Sequence, residues 1–506
     1  MFAGILYIIF EINLFCHCES ATWRIVMLFN SFSYGIFLPL VFIIYWCLPH
    51  RFRWVLLLLS SYYFYMSWNP KYVVLILGTT VVSYVAALLL ERTSSVKKKK
   101  WILAGTVAIC LGVLFVFKYL EFLLNSFVSV ANMFTLKLHP VVLGLMLPVG
   151  ISFYTFQTMS YVIDVYRGNV KAEHHFGYYA AFVSFFPQLV AGPIERSSNL
   201  LPQISSKKTF DYEQAADGMR LMLWGFFKKI VVADTLAVYV DNVYSNITGY
   251  SGFAFVLATF FFTIQIYCDF SGYSNIAIGS AKLFGVNLMT NFASPYFSKS
   301  IKEFWSRWHI SLSTWFKDYV YIPLGGNRCS KLRNSFNLIV TFLVSGIWHG
   351  ADWTYVIWGG IHGIAQVLEK LAGRPLKKLK SKKAGVFISW LFVFVFCNFA
   401  WVFFRASSLH DALYVIRGMF GGLASPVAYL KGGFGQLYIS MSRLVYLAGM
   451  LLILGVVDFI SYRTDILKAV RSRKPALRWV MYVALAVVVV LFSSKGAAAE
   501  FVYFQF

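Results

Sequence analysis

The sequence predicts an all-α, polytopic membrane protein, and two observations indicate this fold class. First, 59% of the 506 residues are hydrophobic and only 13% are charged, whereas soluble domains carry about 25% charged residues. Second, long stretches such as Val73 to Leu90 and Val386 to Phe404 contain no charged residue. Stretches of about 20 apolar residues cross a bilayer as helices, because a helix satisfies its own backbone polar groups. The same length rule gives roughly ten to twelve membrane-embedded helices, with shorter stretches forming interfacial or re-entrant helices.

The basic residues predict the topology of these helices. The net charge is +24, and the densest basic clusters lie between apolar stretches, at Glu91 to Trp101, Gly373 to Gly385 and Arg471 to Arg478. Basic loops stay on the cytoplasmic side and attract anionic lipid headgroups. We therefore expect a multi-pass protein of the cytoplasmic (inner) cell membrane that contacts membrane lipids and binds no nucleic acid.

The first 26 residues are predicted to be either an extra segment ahead of the membrane domain or the result of an upstream choice of start codon. The apolar stretch from Phe2 to Phe15 is interrupted by Glu11 and Asn13, and it lacks the basic start and small-residue cleavage site of a signal peptide. Met27 begins "MLFNSFSYGIFLPLVFIIYW", which is predicted to form the first membrane helix. Residues 27–506 are therefore expected to form a single membrane domain.

The central region, from Phe185 to His362, mixes apolar residues with polar and charged ones. Ionisable groups at membrane depth cost about 2.5–3.5 kcal/mol each, so we expect them to face inward, around a polar cavity. The stretch from Phe185 to Gln203 contains prolines and glycine, which predict a bent or re-entrant segment. Its Glu195 either lines a cavity or marks an interface between helices.

Two further stretches of the central region carry polar residues in different patterns. In "QIYCDFSGYSNIAIG" (Gln265 to Gly279), residues 265, 269 and 272 share one helix face, which predicts a polar stripe in the bundle interior. Hydrogen bonding between helices is the alternative role of that stripe. Tryptophans and basic residues between Ser300 and Arg328 are typical of a helix lying along the membrane surface. A lone histidine there, His309, is more often structural than catalytic.

The stretch "SGIWHGADWTYVIWGGIHG", from Ser345 to Gly363, places His349 at the end of an apolar and therefore buried helix. The small residues Gly346 and Gly350 are expected to leave space beside its ring. A neutral imidazole takes a proton from a hydroxyl near neutral pH, so His349 is either a catalytic base or a hydrogen-bonded core histidine. For His362 we expect a structural role. Without an HExxH motif or a cysteine pair, no metal site is predicted.

Several of these stretches together resemble the membrane-bound O-acyltransferase (MBOAT) family, in particular its bacterial branch of alginate O-acetyltransferase type. The resemblance extends from about Met27 to about Arg405, and the motifs that carry it are "LPVGISFYTFQTMSYVIDVYRG", "FPQLVAGPIER", "YCDFSGYSNIAIG", "FWSRWHISLSTWFKDYVYIPLGGNR" and "GIWHGADWTYVIWGGIHG". The resemblance implies membrane helices around a central funnel or tunnel. It also implies that His349 is the main active-site residue and that His309 is the second histidine of the site.

The resemblance implies transfer of an acyl group, with acetyl-CoA as the donor substrate and no tightly bound cofactor. His349 would act as general base or as nucleophile, and Asp269, Asn275 and Glu303 are candidates for polar support. The acceptor would be a hydroxyl of an extracytoplasmic polysaccharide, reached through a separate extracytoplasmic acyltransferase partner. D-alanyl transfer from a carrier protein to teichoic acid, acylation of lipids or proteins, and transport without chemistry are the alternatives.

Overall fold

The computed structural model of the protein describes residues 27–134, 137–145, 147–190, 192–493 and 501–502. The predicted extra segment, residues 1–26, lies outside them. Across the described ranges the regular structure is helical and includes no strand. The predicted all-α class is therefore confirmed.

The residues group into two compact units. The first unit comprises residues 1–222 and 276–289, and the second comprises residues 223–275 and 290–506. The prediction of a single membrane domain over residues 27–506 stays a prediction. The helices that lie wholly in the first unit are α1 (Phe32–Cys47), α2 (His50–Met66), α3 (Val73–Arg92), α4 (Val96–Lys118), α5 (Leu120–Met133), α6 (Ile151–Arg167), α7 (Phe176–Ser184), α8 (Phe186–Leu189) and α9 (Ser197–Ser205).

Two helices have residues in both units, α10 (Tyr212–Phe226) and α12 (Phe253–Leu283). The helices of the second unit are α11 (Asp234–Ser245), α13 (Ile301–Arg307), α14 (Ile310–Phe316), α15 (Lys331–His349), α16 (Trp353–Leu371), α17 (Gly373–Leu379), α18 (Lys383–Arg405), α19 (Leu409–Gly418), α20 (Pro426–Gln436), α21 (Met441–Arg463), α22 (Ile466–Arg471) and α23 (Pro475–Ser493). Two π-helical turns, Phe227–Ala233 and Lys317–Tyr321, continue α10 and α14. Short 3-10 turns occur at Pro70–Tyr72, Ile247–Gly249 and Pro295–Phe297.

Among the described residues, six helices are long and apolar enough to cross a membrane, namely α3, α4, α12, α18, α21 and α23. Two shorter apolar helices, α1 and α5, accompany them. The chain is thus polytopic, as predicted. The expected ten to twelve embedded helices include short and broken segments, so that number stays a prediction. The bent segment after Phe185 is confirmed, because the chain there is divided between α7, α8 and α9.

Helices α15 and α16 form a closely packed antiparallel pair, and glycines make the close approach possible. A Cβ atom on Gly346 would collide with the carbonyl of Tyr355, and one on Gly359 would collide with the carbonyl of Phe342. A Cβ atom on Gly350 would collide with the ring of Tyr355. The expectation that Gly346 and Gly350 leave open space is therefore wrong, since Tyr355 occupies it. The pair carries His349 at the end of α15, as predicted.

Candidate active site

His349 ends α15 in an aromatic environment. The following residue, Gly350, is extended, with φ −161° and ψ 154°. The His349 side chain is buried, and its ring meets Trp358 edge-on, with ring centroids 5.0 Å apart, and Phe404 at 5.4 Å. Aromatic rings thus line at least two sides of this imidazole.

His309 lies between α13 and α14 in the left-handed region of backbone space, with φ 43° and ψ 55°. Its ring is buried and lies 4.6 Å from the ring of Phe270, edge-on. Burial lowers the pKa of His309 to about 3, so the imidazole is neutral near pH 7. The ring centroids of His309 and His349 lie 6.4 Å apart. The structure thus brings together the two histidines that the resemblance implies.

The stretch between Ser300 and Arg328 is not the single helix that was predicted, and its location along the membrane surface stays a prediction. The chain reverses its backbone conformation at His309 and forms two short helices, α13 and α14. The side chains of Trp305, Trp308 and Trp315 are buried in the protein. The charges on this segment misled the prediction, because its buried aromatic residues and its exposed basic ones alternate over a few residues.

His362 lies in α16 and makes structural contacts. The indole Nε1 of Trp305 donates a hydrogen bond to its Nδ1 at 3.2 Å, and its ring stacks with Phe304 at 6.2 Å. Trp358 packs against both His349 and His362. These contacts favour the structural role predicted for His362.

Asp269 is buried in α12 and forms an ion pair that belongs to a larger charged network. The Nζ atom of Lys229 lies 2.7 Å from Oδ1 of Asp269 and 2.9 Å from Oδ1 of Asp234. The backbone N–H of Val502 donates to Oδ2 of Asp269 at 2.7 Å. The next residue, Phe270, contacts the His309 ring. Asp269 therefore supports the helix segment beside His309 and is itself neutralised by Lys229.

The other two predicted supporting residues have different surroundings. In the amide orientation that satisfies both of its neighbours, Asn275 accepts from Nζ of Lys228 at 3.1 Å and donates to the backbone of Ser271. Glu303, in the first turn of α13, accepts from Nε of Arg307 at 3.0 Å and from the hydroxyl of Tyr462 at 3.0 Å. Asn275 thus joins the network of buried lysines, whereas Glu303 fixes α13 and α21 to each other.

Two functional candidates escaped the sequence prediction, Lys229 and Asn291. Lys229 was detectable, because "FFKKIVVAD" places two lysines in an apolar stretch, and buried ionisable residues in membrane proteins are commonly functional. Asn291 follows a turn in "NLMTNFASP" and has no such signal. Among the described residues, no cluster of three or more His, Cys, Asp or Glu side chains could hold a metal ion.

Comparison with known proteins connects this site to a family. A model of the MBOAT, membrane-bound O-acyltransferase, family matches residues 170–409. The chain is 36% identical over 486 residues to the probable alginate O-acetylase AlgI of Pseudomonas putida, covering 93% of this chain and 98% of that relative. It is 38% identical over 430 residues to the peptidoglycan O-acetyltransferase of Helicobacter pylori, covering 78% and 80%. A more distant relative, the teichoic acid D-alanyltransferase of Streptococcus thermophilus, is 31% identical over 283 residues, covering 52% and 68%.

A polytopic helical fold with two neighbouring buried histidines therefore defines a membrane-embedded acyltransferase. The chain belongs to the membrane-bound O-acyltransferase family. It is a multi-pass membrane enzyme, and the transporter alternative is not retained.

Proposed function

We propose that the enzyme transfers an acetyl group from acetyl-CoA on the cytoplasmic side toward a hydroxyl of an extracytoplasmic polysaccharide. The inner membrane is its location, and a separate extracytoplasmic transferase completes the delivery. Two observations support the acetyl group and the glycan. Relatives that match most of the chain are named as alginate and peptidoglycan O-acetylating proteins, and the sequence motifs resemble the same branch.

The neighbouring buried histidines carry this proposal. In the transfer step, a hydroxyl oxygen of the acceptor forms a bond to the acetyl carbonyl carbon as the carbon–sulfur bond breaks. His349, neutral at the start, accepts the hydroxyl proton and passes it to the leaving thiolate, so that the free thiol and the ester are the products. His309, 6.4 Å away between ring centroids, orients the acceptor or the oxyanion as a neutral ring.

The test uses purified protein in lipid nanodiscs with radiolabelled acetyl-CoA, candidate glycans and the candidate partner. We expect His349→Ala to lower transfer at least about 10²-fold, the usual contribution of a positioned base. His410→Ala is the matched control, because His410 is an exposed histidine of α19 in the same unit. Transfer by His349→Ala at the rate of the control would overturn the role of His349.

A second experiment separates the general base from a nucleophile. Acid quench of the enzyme with labelled donor and no acceptor leaves the protein unlabelled at His349 if the residue acts as a base. A labelled acyl-imidazole at His349 would instead make it the nucleophile.

D-alanyl transfer is the second candidate, favoured by the teichoic acid D-alanyltransferase relative, whose match covers 52% of the chain. The same nanodisc assay with a D-alanyl carrier protein in place of acetyl-CoA distinguishes the two donors. Transfer from the carrier alone would replace the acetyl proposal with this one. An acylated lipid or protein as the product would identify the remaining class of acceptor.

A further inference from the structure

The backbone at His309 requires support from outside its own turn. A residue other than glycine in the left-handed region costs about 1–2 kcal/mol, and it persists where the surroundings hold it. His309 precedes α14 as its first flanking residue but makes no side-chain cap to that helix. Within α14, the N–H of Ser313 donates to the carbonyl of His309 at 2.9 Å, and further support comes from another part of the chain.

The segment from Asn291 to Ala293 runs alongside the turn and brackets it. The N–H of Ile310, just after His309, donates to the carbonyl of Asn291 at 2.9 Å. On the other side of the histidine, the carbonyl of Arg307 accepts from the N–H of Ala293 at 3.0 Å. His309 thus lies between two backbone hydrogen bonds to the same three-residue segment.

The side chain of Asn291 joins this bracket to α12. Asn291 is fully buried, and its Oδ1 accepts from the hydroxyl of Ser311 at 2.6 Å. Its Nδ2 donates to the hydroxyl of Ser274 at 2.9 Å. Ser274 lies one turn after Phe270, whose ring contacts that of His309. One amide therefore connects α14, which directly follows the histidine, to α12, which contacts its ring, and the amide acts as acceptor for the first and as donor for the second.

We infer that Asn291 is a positioning residue, which fixes the His309 ring relative to His349 by holding the turn and α12 together. Alanine at this position removes both side-chain hydrogen bonds and leaves buried hydroxyl groups without this partner. Aspartate keeps the acceptor for Ser311 but replaces the amide donor with an acceptor, so Ser274 must donate instead. We therefore expect Asn291→Ala to lower kcat strongly and Asn291→Asp to lower it less.

The kinetic part of the test rests on the proposed function and uses a double-mutant cycle. Asn291→Ala should lower kcat at least 10-fold with KM for acetyl-CoA changed less than threefold. In the His309→Asn background the same substitution should lower kcat less than threefold, because Asn291 acts through His309. The matched control is Asn398→Ala in α18, since Asn398 is a half-buried amide that likewise accepts from a hydroxyl, that of Thr263, and donates to the backbone carbonyl of Phe394. Equal losses from Asn291→Ala in both backgrounds would overturn the inference.

A second part does not require activity. Mass spectrometry of deuterium exchange at the imidazole C2 position reports the surroundings of each histidine in the intact protein in nanodiscs. Asn291→Ala should speed exchange at His309 at least threefold and leave His410 unchanged, whereas Asn398→Ala should leave both unchanged. Unchanged exchange at His309 would overturn the inference even if the wild-type enzyme transferred no acetyl group. Faster exchange at His309 in an inactive wild-type background would support the positioning role and refute the acetyl proposal alone.

Discussion

His349 and His309 are adjacent in space but depend on different local structure. His349 is positioned by the regular end of α15. His309 has a left-handed backbone, and backbone hydrogen bonds from the segment 291–293 hold it on both sides. The two residues therefore respond differently to substitution. Asparagine adopts the left-handed region more readily than most residues, so His309→Asn removes the imidazole while it keeps the turn.

Acid stability provides a test of how deeply His309 is buried. Burial lowers its pKa from 6.5 to about 3 in the folded protein, so between these values the unfolded chain binds one more proton than the folded chain. Folding stability is therefore lost as the pH falls below 6.5, by about 1–2 kcal/mol at pH 5. His309→Asn has no such group, and its melting temperature should fall less between pH 7.5 and pH 5. Equal falls in both proteins would show that His309 titrates normally.

The site was predictable only in part at this scale. The sequence predicts that His349 lies at the end of an apolar helix, and the family motif points to His309. It does not predict the left-handed backbone conformation of His309. Glycine or proline commonly marks an unusual backbone, and "SRWHIS" contains neither. Asn291 was missed for a related reason, because its side-chain partners are 17 and 20 residues away in the sequence and no local pattern specifies them.

At the scale of elements, α15 and α16 show how glycine spacing encodes close contact. Gly359 and Gly363 are four residues apart in α16 and therefore lie on one face, where an added Cβ atom would meet Phe342 and Ile339 of α15. Gly360 points elsewhere, since the nearest atom to its Cβ position is Cδ2 of Leu343 at 3.6 Å. The sequence predicted the helix that carries His349. It did not predict that the glycines serve packing, because neighbouring glycines look alike until the partner helix is known.

Alanine substitutions at Gly359 and at Gly360 distinguish the effect of helix–helix packing on stability from the effect of helix propensity. Gly359→Ala should destabilise the protein by about 1–3 kcal/mol, because the methyl group meets backbone atoms of α15 that cannot move aside alone. Gly360→Ala meets only ordinary contact and should be neutral or stabilising by up to about 1 kcal/mol, the advantage of alanine in a helix. Thermal unfolding of both variants in the same detergent measures the difference. Similar melting temperatures would contradict the packing of α15 against α16.

At the scale of the whole molecule, three spanning helices begin at the three basic clusters. Lysines fill the first turn of α4, and basic residues directly precede or begin α18 and α23. Cations at a helix N-terminus oppose the helix dipole by about 0.3–1 kcal/mol each, so helix stability does not explain them. Attraction to anionic lipid contributes about 1 kcal/mol per basic residue near the surface, which offsets that cost. The polytopic class and the bent segment after Phe185 were thus predictable from the sequence, whereas the orientation stays a prediction.

This orientation has a consequence that labelling can test in the second unit. If α18 begins on the cytoplasmic side, then it ends outside, α19 and α20 lie outside, and α21 returns to the basic residues around α22. Ser381, before α18, and Ser425, before α20, are both exposed, so Ser381→Cys and Ser425→Cys form a matched pair in a background without the seven native cysteines. A membrane-impermeant maleimide should label Ser425→Cys in right-side-out vesicles and Ser381→Cys only in inside-out vesicles. Labelling of both from one side would refute the crossing by α18, and the reverse pattern would place the basic cluster from Gly373 to Gly385 outside the cell.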